Sequence, residues 1–102
     1  TGAAYTRAEL RALGEVLLKY LRIVIGTDDM YENIYWGAEP FCSLVTAVPE
    51  LCGRTVTING CSKAYAMTGW RIGYCGGPRE IITAMATVQG QSTSNPSSIG
   101  QK

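Results

Sequence analysis

Three short apolar runs, separated by a helical pattern and by loops, constrain the fold of this chain most strongly. The runs span residues 23–26, 55–59 and 72–75 and are rich in β-branched or aromatic side chains. Short apolar runs bounded by turn residues are typical of strands. Because helical patterns lie before and after them, the sequence predicts an α/β fold, with about three strands of a mixed sheet and flanking helices.

The first helix is predicted by two features. Thr6-Arg7-Ala8-Glu9 has the pattern of a capping box, in which the first and last side chains each bond the other's backbone amide. After it, leucines recur at helical spacing at Leu10, Leu13, Leu17 and Leu21. This stripe predicts a helix that packs its apolar face on the sheet.

Two further helices are predicted downstream. Residues 42–51 are predicted to form a short helix that is interrupted near Pro49. Residues 81–88 are predicted to form an amphipathic helix, and Pro78 precedes it, where a first-turn proline is tolerated. Residues 33–41 and 91–101 contain the glycine, proline and small polar residues of irregular structure.

Composition excludes several classes of partner. The chain has 102 residues, enough for one domain, and a net charge of +1, which provides no electrostatic surface for nucleic acid or for a membrane. No apolar stretch approaches the roughly 18 residues of a membrane-spanning helix. The N-terminal residues show no signal-peptide pattern.

The cysteines predict reduced thiols rather than a metal site. Cys42, Cys52, Cys61 and Cys75 stand among apolar neighbours without a short paired spacing, and the chain has no histidine. We therefore expect no metal, and we expect the thiols to lie in the core. Reduced thiols favour a cytoplasmic protein.

Charged side chains lie where the predicted strands end. Asp28 follows the first run, and the carboxyl edge of such strands is where ligands bind in open α/β sheets. Lys63 follows the second run and Arg71 precedes the third. A lysine amine forms Schiff bases when its pKa is lowered, and an arginine fork holds two phosphate oxygens. Taken singly, Lys63 and Arg71 are better explained as solvated surface residues, and Asp28 is explained equally well as part of a turn or a helix cap.

Taken together, these residues resemble a known family. Residues 62–74, Ser-Lys-Ala-Tyr-Ala-Met-Thr-Gly-Trp-Arg-Ile-Gly-Tyr, are similar to the cofactor-lysine region of the class I/II pyridoxal-phosphate-dependent aminotransferases of fold type I, and closest to the bacterial aspartate aminotransferase branch. Thr1-Gly2-Ala3-Ala4-Tyr5 resembles the family's Thr-Gly-x-x-Tyr, and Asp28-Asp29-Met30-Tyr31 its Asp-x-x-Tyr.

The resemblance implies a role for each site residue. Lys63 would form the Schiff base with pyridoxal 5'-phosphate and move a proton at the substrate α-carbon. Asp28 would pair with the pyridinium nitrogen, and the Tyr31 hydroxyl would bond the ring oxygen. Arg71 would hold the phosphate, with the Ser62 hydroxyl beside it.

The resemblance also implies a function and its context. Residues 1–102 would be a central part of the cofactor-binding large domain of an enzyme that transfers an amino group from an aspartate-like amino acid to a 2-oxo acid, with a homodimer as the parent assembly. The isolated 102 residues are expected to be inactive, because the family grips the substrate carboxylate with residues from elsewhere. Two alternatives stay open: a lyase of the same fold, and a non-catalytic fragment that binds the cofactor weakly or not at all.

Overall fold

The computed structural model describes residues 2–102, so Thr1, the first residue of the predicted Thr-Gly-x-x-Tyr motif, lies outside the described residues. The described chain is an α/β structure, as predicted. Its elements in chain order are α1 (Arg7–Leu18), β1 (Ile25–Asp28), α2 (Leu44–Ala47), a 3-10 helix (Pro49–Arg54), β2 (Thr55–Gly60), α3 (Cys61–Ala64), a 3-10 turn (Thr68–Trp70), β3 (Gly73–Gly76) and α4 (Arg79–Gly90).

The strands form one mixed sheet in the order β1-β2-β3. β1 runs parallel to β2, with Ile25 opposite Thr55 and Asp28 opposite Ile58. β3 runs antiparallel to β2, with Gly73 opposite Gly60. The carboxyl ends of β1 and β2 and the amino end of β3 therefore meet at one edge of the sheet.

The predicted capping box opens α1. The backbone amide and the hydroxyl of Thr6 donate to Glu9 Oε2 at 2.7 and 2.8 Å, and the Glu9 amide donates to Thr6 Oγ1 at 3.2 Å. The bond from the Thr6 amide is the main cause that lowers the pKa of the Glu9 carboxyl. Local side-chain chemistry thus determines where this helix begins.

The end of α1 differs from the prediction. The helix ends at Leu18, and Leu21, predicted as part of the buried stripe, is 78% exposed. The guanidinium of Arg54 binds the carbonyl oxygens beyond this point, at 2.6 Å from Leu17, 3.0 Å from Tyr20 and 2.8 Å from Ile23. Because these carbonyls bond Arg54, the chain turns away from the helix before Leu21.

The strands are close to their predicted positions, with small shifts. The run predicted at 23–26 is a strand at Ile25–Asp28, and the run predicted at 72–75 is a strand at Gly73–Gly76. Pairing with β2 begins at Ile25, after the segment whose carbonyls bind Arg54. Asp28 is therefore the last residue of β1 rather than part of the turn that follows it.

The core is small and lies where α1 and the segment 42–51 pack against β1. Leu51 is its fully buried member, at 0% exposure. The other buried members are Leu10, Ile25, Cys42, Leu44, Ala47 and Val48. Gly14 of α1 faces the Val48 side chain so closely that a Cβ there would clash. The α1 helix therefore needs glycine at this contact.

The four cysteines are free, but they do not share the predicted core position. Cys42 is buried, whereas Cys52 is exposed and Cys61 and Cys75 are partly exposed. The prediction that all of them are core thiols is wrong. The apolar core is small, and of the four cysteines it contains only Cys42.

Neither of the long helices has the dimensions of a membrane span. α1 and α4 have 12 residues each, and a bilayer requires about 20. Within residues 2–102, no helix is both long enough and apolar enough to cross a membrane.

Candidate functional site

The candidate site lies at the edge of the sheet where β1 and β2 end and β3 begins. Asp28 is the last residue of β1, and Lys63 lies three residues beyond the end of β2. Arg71 lies two residues before β3. These charged residues lie between positions 28 and 71 of the sequence. The pairing of the three strands places them at the same edge of the sheet.

Two backbone amides hold the loop after β1 in place. The Met30 amide donates to Asp28 Oδ1 at 3.2 Å, which closes an Asx turn. The Asp29 amide donates to the carbonyl of Ile58 on β2 at 2.9 Å, so pairing continues one residue past the strand. Tyr31, at the far end of this turn, is 58% exposed, and its ring therefore faces out from the edge of the sheet.

Asp29 carries the perturbed carboxyl of this loop. Its pKa is raised from the ordinary value of 3.8, chiefly because burial disfavours the charged form, and further because the charges of Glu32 and Asp28 repel it. The loop therefore holds the carboxyl groups of Asp28, Asp29 and Glu32 close enough together for their charges to interact.

Lys63 lies on α3, a single turn that follows β2 directly. The Cys61 amide donates to the carbonyl of Ile72 at 3.1 Å, which fastens this turn to the chain before β3. A Cβ on Gly60 would stand 2.8 Å from the same carbonyl, so the close approach of the two segments requires glycine. Lys63 Nζ lies 6.0 Å from the centre of the Tyr31 ring. The structure thus brings together Lys63 and Tyr31, from two separate sequence motifs.

Arg71 stands in a turn rather than at the start of a strand. Its backbone is left-handed, with φ of 55°, which is uncommon for a residue other than glycine. Its Nη1 donates to the Thr68 carbonyl at 3.0 Å, and the side chain is exposed. Ser62 is partly exposed and adjoins Lys63 in α3. Both residues lie near the predicted edge, and within residues 2–102 neither side chain hydrogen-bonds Asp28, Tyr31 or Lys63.

A groove beside β1 overlaps only part of this site. It is an open groove of about 1060 Å³ whose lining includes Asp28 and Tyr31, but not Ser62, Lys63 or Arg71. Much of its wall is apolar and comes from α1 and β1, including Leu10, Leu13, Leu17 and Ile25. We identify the site with the polar edge, because reactive groups converge there, rather than with the apolar groove.

Sequence reasoning missed two residues at this edge. Asn59 is buried, at 7% exposure, and its Nδ2 donates to Glu32 Oε1 at 2.7 Å. Its Oδ1 accepts from the Gly60 amide at 2.8 Å. The available signal was an asparagine inside an apolar strand pattern, four residues before the lysine. A polar side chain at such a position needs a buried partner.

The described residues contain no cluster of three or more histidine, cysteine, aspartate or glutamate side chains placed to hold a metal ion.

Comparison with known proteins identifies the class to which this fold and site belong. Residues 1–102 match the family model described as aminotransferase class I and II. The chain belongs to the class I and II aminotransferase family, as its motifs predicted.

Individual relatives place the chain within that family. It is 60% identical over 101 residues to the aspartate/prephenate aminotransferase of Nitrosomonas europaea, covering 99% of this chain and 25% of the relative. The crystal structure of the aspartate aminotransferase from Rhizobium meliloti superposes with a TM-score of 0.93 at 56% identity, over 99% of this chain and 25% of that one. The aromatic aminotransferase of Pyrococcus horikoshii gives a TM-score of 0.89 at 30% identity, over 99% of this chain and 26% of that one.

These comparisons confirm the predicted family and its aspartate aminotransferase branch. They also show that the chain spans about a quarter of the length of the relatives it matches.

Proposed function

We propose that the protein transfers an amino group from an amino acid to a 2-oxo acid with pyridoxal 5'-phosphate as its cofactor, and that Lys63 is the reactive amine. The observation that carries the proposal is the 6.0 Å approach of Lys63 Nζ to the Tyr31 ring. It joins the Asp-x-x-Tyr and Ser-Lys motifs at one edge of the sheet. Membership of the aminotransferase family supports the same reaction class.

The donor set fits this cofactor. Asp28 uses Oδ1 to accept from the Met30 amide, which leaves Oδ2 for the N–H of a pyridinium ring. Tyr31 presents its hydroxyl at the exposed edge. Arg71 uses one of its five N–H donors on the Thr68 carbonyl and keeps the others for phosphate oxygens. Lys63 provides an amine, and the Ser62 hydroxyl lies next to it for a further phosphate oxygen.

When bound, pyridoxal phosphate supplies an aldehyde that accepts the amino group and a cationic ring that withdraws electrons from the substrate α-carbon. The Asp28 carboxylate would hold the ring nitrogen in its charged form. Lys63 Nζ would take the proton from the substrate α-carbon as a general base and then, as a general acid, deliver it to the cofactor carbon that receives the amino group. Arg71 and Ser62 would orient the site by holding the phosphate.

The substrate class follows from the relatives rather than from this chain's own side chains. Relatives from Nitrosomonas europaea and Rhizobium meliloti are named for aspartate, and several are named for prephenate as well. We propose an aspartate-like amino donor, with 2-oxoglutarate or another 2-oxo acid such as prephenate as acceptor.

We further propose that residues 1–102 are part of the cofactor-binding large domain of a longer, homodimeric enzyme of the cytoplasm. The share of the relatives that the chain spans supports the domain assignment. Four free cysteines support a reducing compartment. The homodimer rests on the family resemblance.

An amino-transfer assay tests the proposed reaction. The protein at its full natural length is mixed with pyridoxal phosphate, aspartate and 2-oxoglutarate, and both products, oxaloacetate and glutamate, are measured. We expect Lys63→Ala to lower the rate by at least about 10³-fold, because the proton transfer at the α-carbon loses its base. The control is Lys19→Ala, which removes an exposed lysine at the end of α1, away from the site.

Two results contradict the proposal. Lys63→Ala that retains the wild-type rate excludes Lys63 as the reactive amine. Release of ammonia from the amino acid without formation of glutamate identifies a lyase of the same fold.

A further inference from the structure

Two segments of the site are joined by a part-buried hydrogen bond between residues 27 positions apart in the sequence. Asn59 Nδ2, at the end of β2, donates to Glu32 Oε1 at 2.7 Å. Glu32 directly follows Tyr31, and Asn59 lies four residues before Lys63. The bond therefore connects the loop that carries Asp28 and Tyr31 to the segment that carries Lys63.

The orientation of the Asn59 amide is fixed from both ends. Its Oδ1 accepts from the Gly60 amide at 2.8 Å while its Nδ2 donates to the carboxylate. A flipped amide would lose both bonds. Because Asn59 is 7% exposed, water has little access to its amide. A part-buried, charge-assisted bond of this kind holds its two segments more firmly than a fully exposed contact does.

A second contact supports the same junction. The Asp29 amide donates to the Ile58 carbonyl at 2.9 Å, directly before Asn59 in the strand. Together, the two bonds hold the loop from Asp28 to Tyr31 against the end of β2, which leads to Lys63. Tyr31, at the end of this loop, has its ring centre 6.0 Å from Lys63 Nζ.

We propose that Glu32 and Asn59 are positioning residues, which set the distance of Asp28 and Tyr31 from Lys63 and thereby the geometry of the bound cofactor. The proposal rests on the function proposed above. Misplacement of a reacting group by about 1 Å lowers rates by as much as 10²-fold, so a bond that fixes two halves of a site has a direct effect on reactivity.

Variants of Glu32 test the bond without disturbing the contact of Asn59 with Gly60. Glu32→Leu removes the acceptor. Glu32→Asp keeps the charge but shortens the side chain by one methylene, so its carboxylate cannot reach Asn59 at 2.7 Å. This variant replaces Glu32→Leu as the test if the leucine variant does not fold. Glu32→Gln keeps an acceptor oxygen at full reach. Glu39→Leu removes an exposed glutamate from the loop after Tyr31 and is the matched control.

The first readout needs no cofactor. In the cofactor-free protein at its full natural length, hydrogen exchange of the Asp29 amide is followed by mass spectrometry of a peptide covering residues 27–34. We expect exchange to be about tenfold faster in Glu32→Leu and Glu32→Asp, because the loop opens more often. Glu32→Gln retains most of the protection, and Glu39→Leu all of it.

The second readout uses pyridoxal phosphate. We expect the Kd of the cofactor to rise about tenfold in Glu32→Leu and Glu32→Asp. The pH at which its visible absorbance titrates is also expected to rise, by about one unit, because a displaced Tyr31 hydroxyl no longer stabilises negative charge on the ring oxygen. A role confined to folding would lower stability without moving this pH.

The outcomes separate this proposal from the function itself. A wild-type protein that does not bind pyridoxal phosphate contradicts the proposed function and this inference with it. A wild-type protein that binds the cofactor, with a Glu32→Leu variant of unchanged exchange, Kd and titration pH, contradicts the positioning role alone.

Discussion

Asp29 lies close to two other carboxylates of the site, those of Asp28 and Glu32. Burial of its carboxyl and the two neighbouring charges raise its pKa. The folded chain therefore binds a proton at Asp29 more readily than the unfolded chain does. Its contribution to stability is fully present below the unfolded pKa, near 3.8, and is lost as pH rises through the raised pKa of the folded state.

We expect Asp29→Asn to stabilise the cofactor-free protein at pH 7, because the amide carries no charge to bury or to repel. The gain should shrink as pH falls and vanish near pH 3, where Asp29 is protonated in both states. Thermal unfolding of both forms from pH 3 to pH 7 measures this. Glu15→Gln, on the exposed side of α1, controls for charge removal. A gain that is equal at pH 3 and pH 7 contradicts the account.

At the scale of residues, family motifs predicted more than physics alone did. Lys63 and Tyr31 were predicted to share a site, and they lie 6.0 Å apart. The bond between Glu32 and Asn59 was not predicted, because it joins two polar residues 27 positions apart and nothing local to either indicates the other. The roles of Asp28, Arg71 and Ser62 toward a cofactor remain predictions.

At the scale of elements, the two ends of α1 show what local sequence can specify. The helix begins at a capping box formed by Thr6 and Glu9, which are three residues apart. The local sequence alone is therefore enough to predict where the helix begins. It ends where Arg54 binds the carbonyl of Leu17, 37 positions away. The leucine spacing in the sequence continues to Leu21, and no nearby pattern indicates that Arg54 binds the chain where the helix ends. The same contact explains why β1 begins at Ile25, later than predicted.

Arg54 is therefore expected to stabilise the junction of α1 and β1. Arg54→Ala should lower the free energy of unfolding by about 1–3 kcal/mol, because three carbonyl oxygens lose a charged donor. Arg54→Lys should recover only part of this, since an ammonium cannot reproduce the planar fork. Denaturant unfolding measures the change. Arg22→Ala, at an exposed position in the same turn, should have little effect; an equal loss there would contradict the role of Arg54.

At the scale of the whole molecule, the described chain is more open than a compact domain of its length. Its radius of gyration is 15.3 Å, whereas about 13 Å is typical of 100 residues. Large apolar side chains stand in solvent, with Trp36 89% exposed, and no residue of α4 is buried. β1 has a strand neighbour on one side only, and the apolar groove lies beside it.

These surfaces are consistent with a segment that packs against further elements. Parallel strands are normally covered on both faces, and exposed strand edges are normally paired or protected. The openness supports the proposal that residues 1–102 belong to a larger domain, alongside the quarter share of the relatives that they span.

The most direct test of the account is to find which lysine bonds pyridoxal phosphate. The chain has three lysines, Lys19, Lys63 and Lys102, and all of them are exposed, so exposure alone would label them to similar extents. The protein is incubated with the cofactor and reduced with borohydride, and the modified lysine is mapped by mass spectrometry. We expect the label on Lys63 and its loss in Lys63→Ala, with a visible absorbance band in the wild type only. Label spread evenly over the three lysines, with no such band, would contradict it.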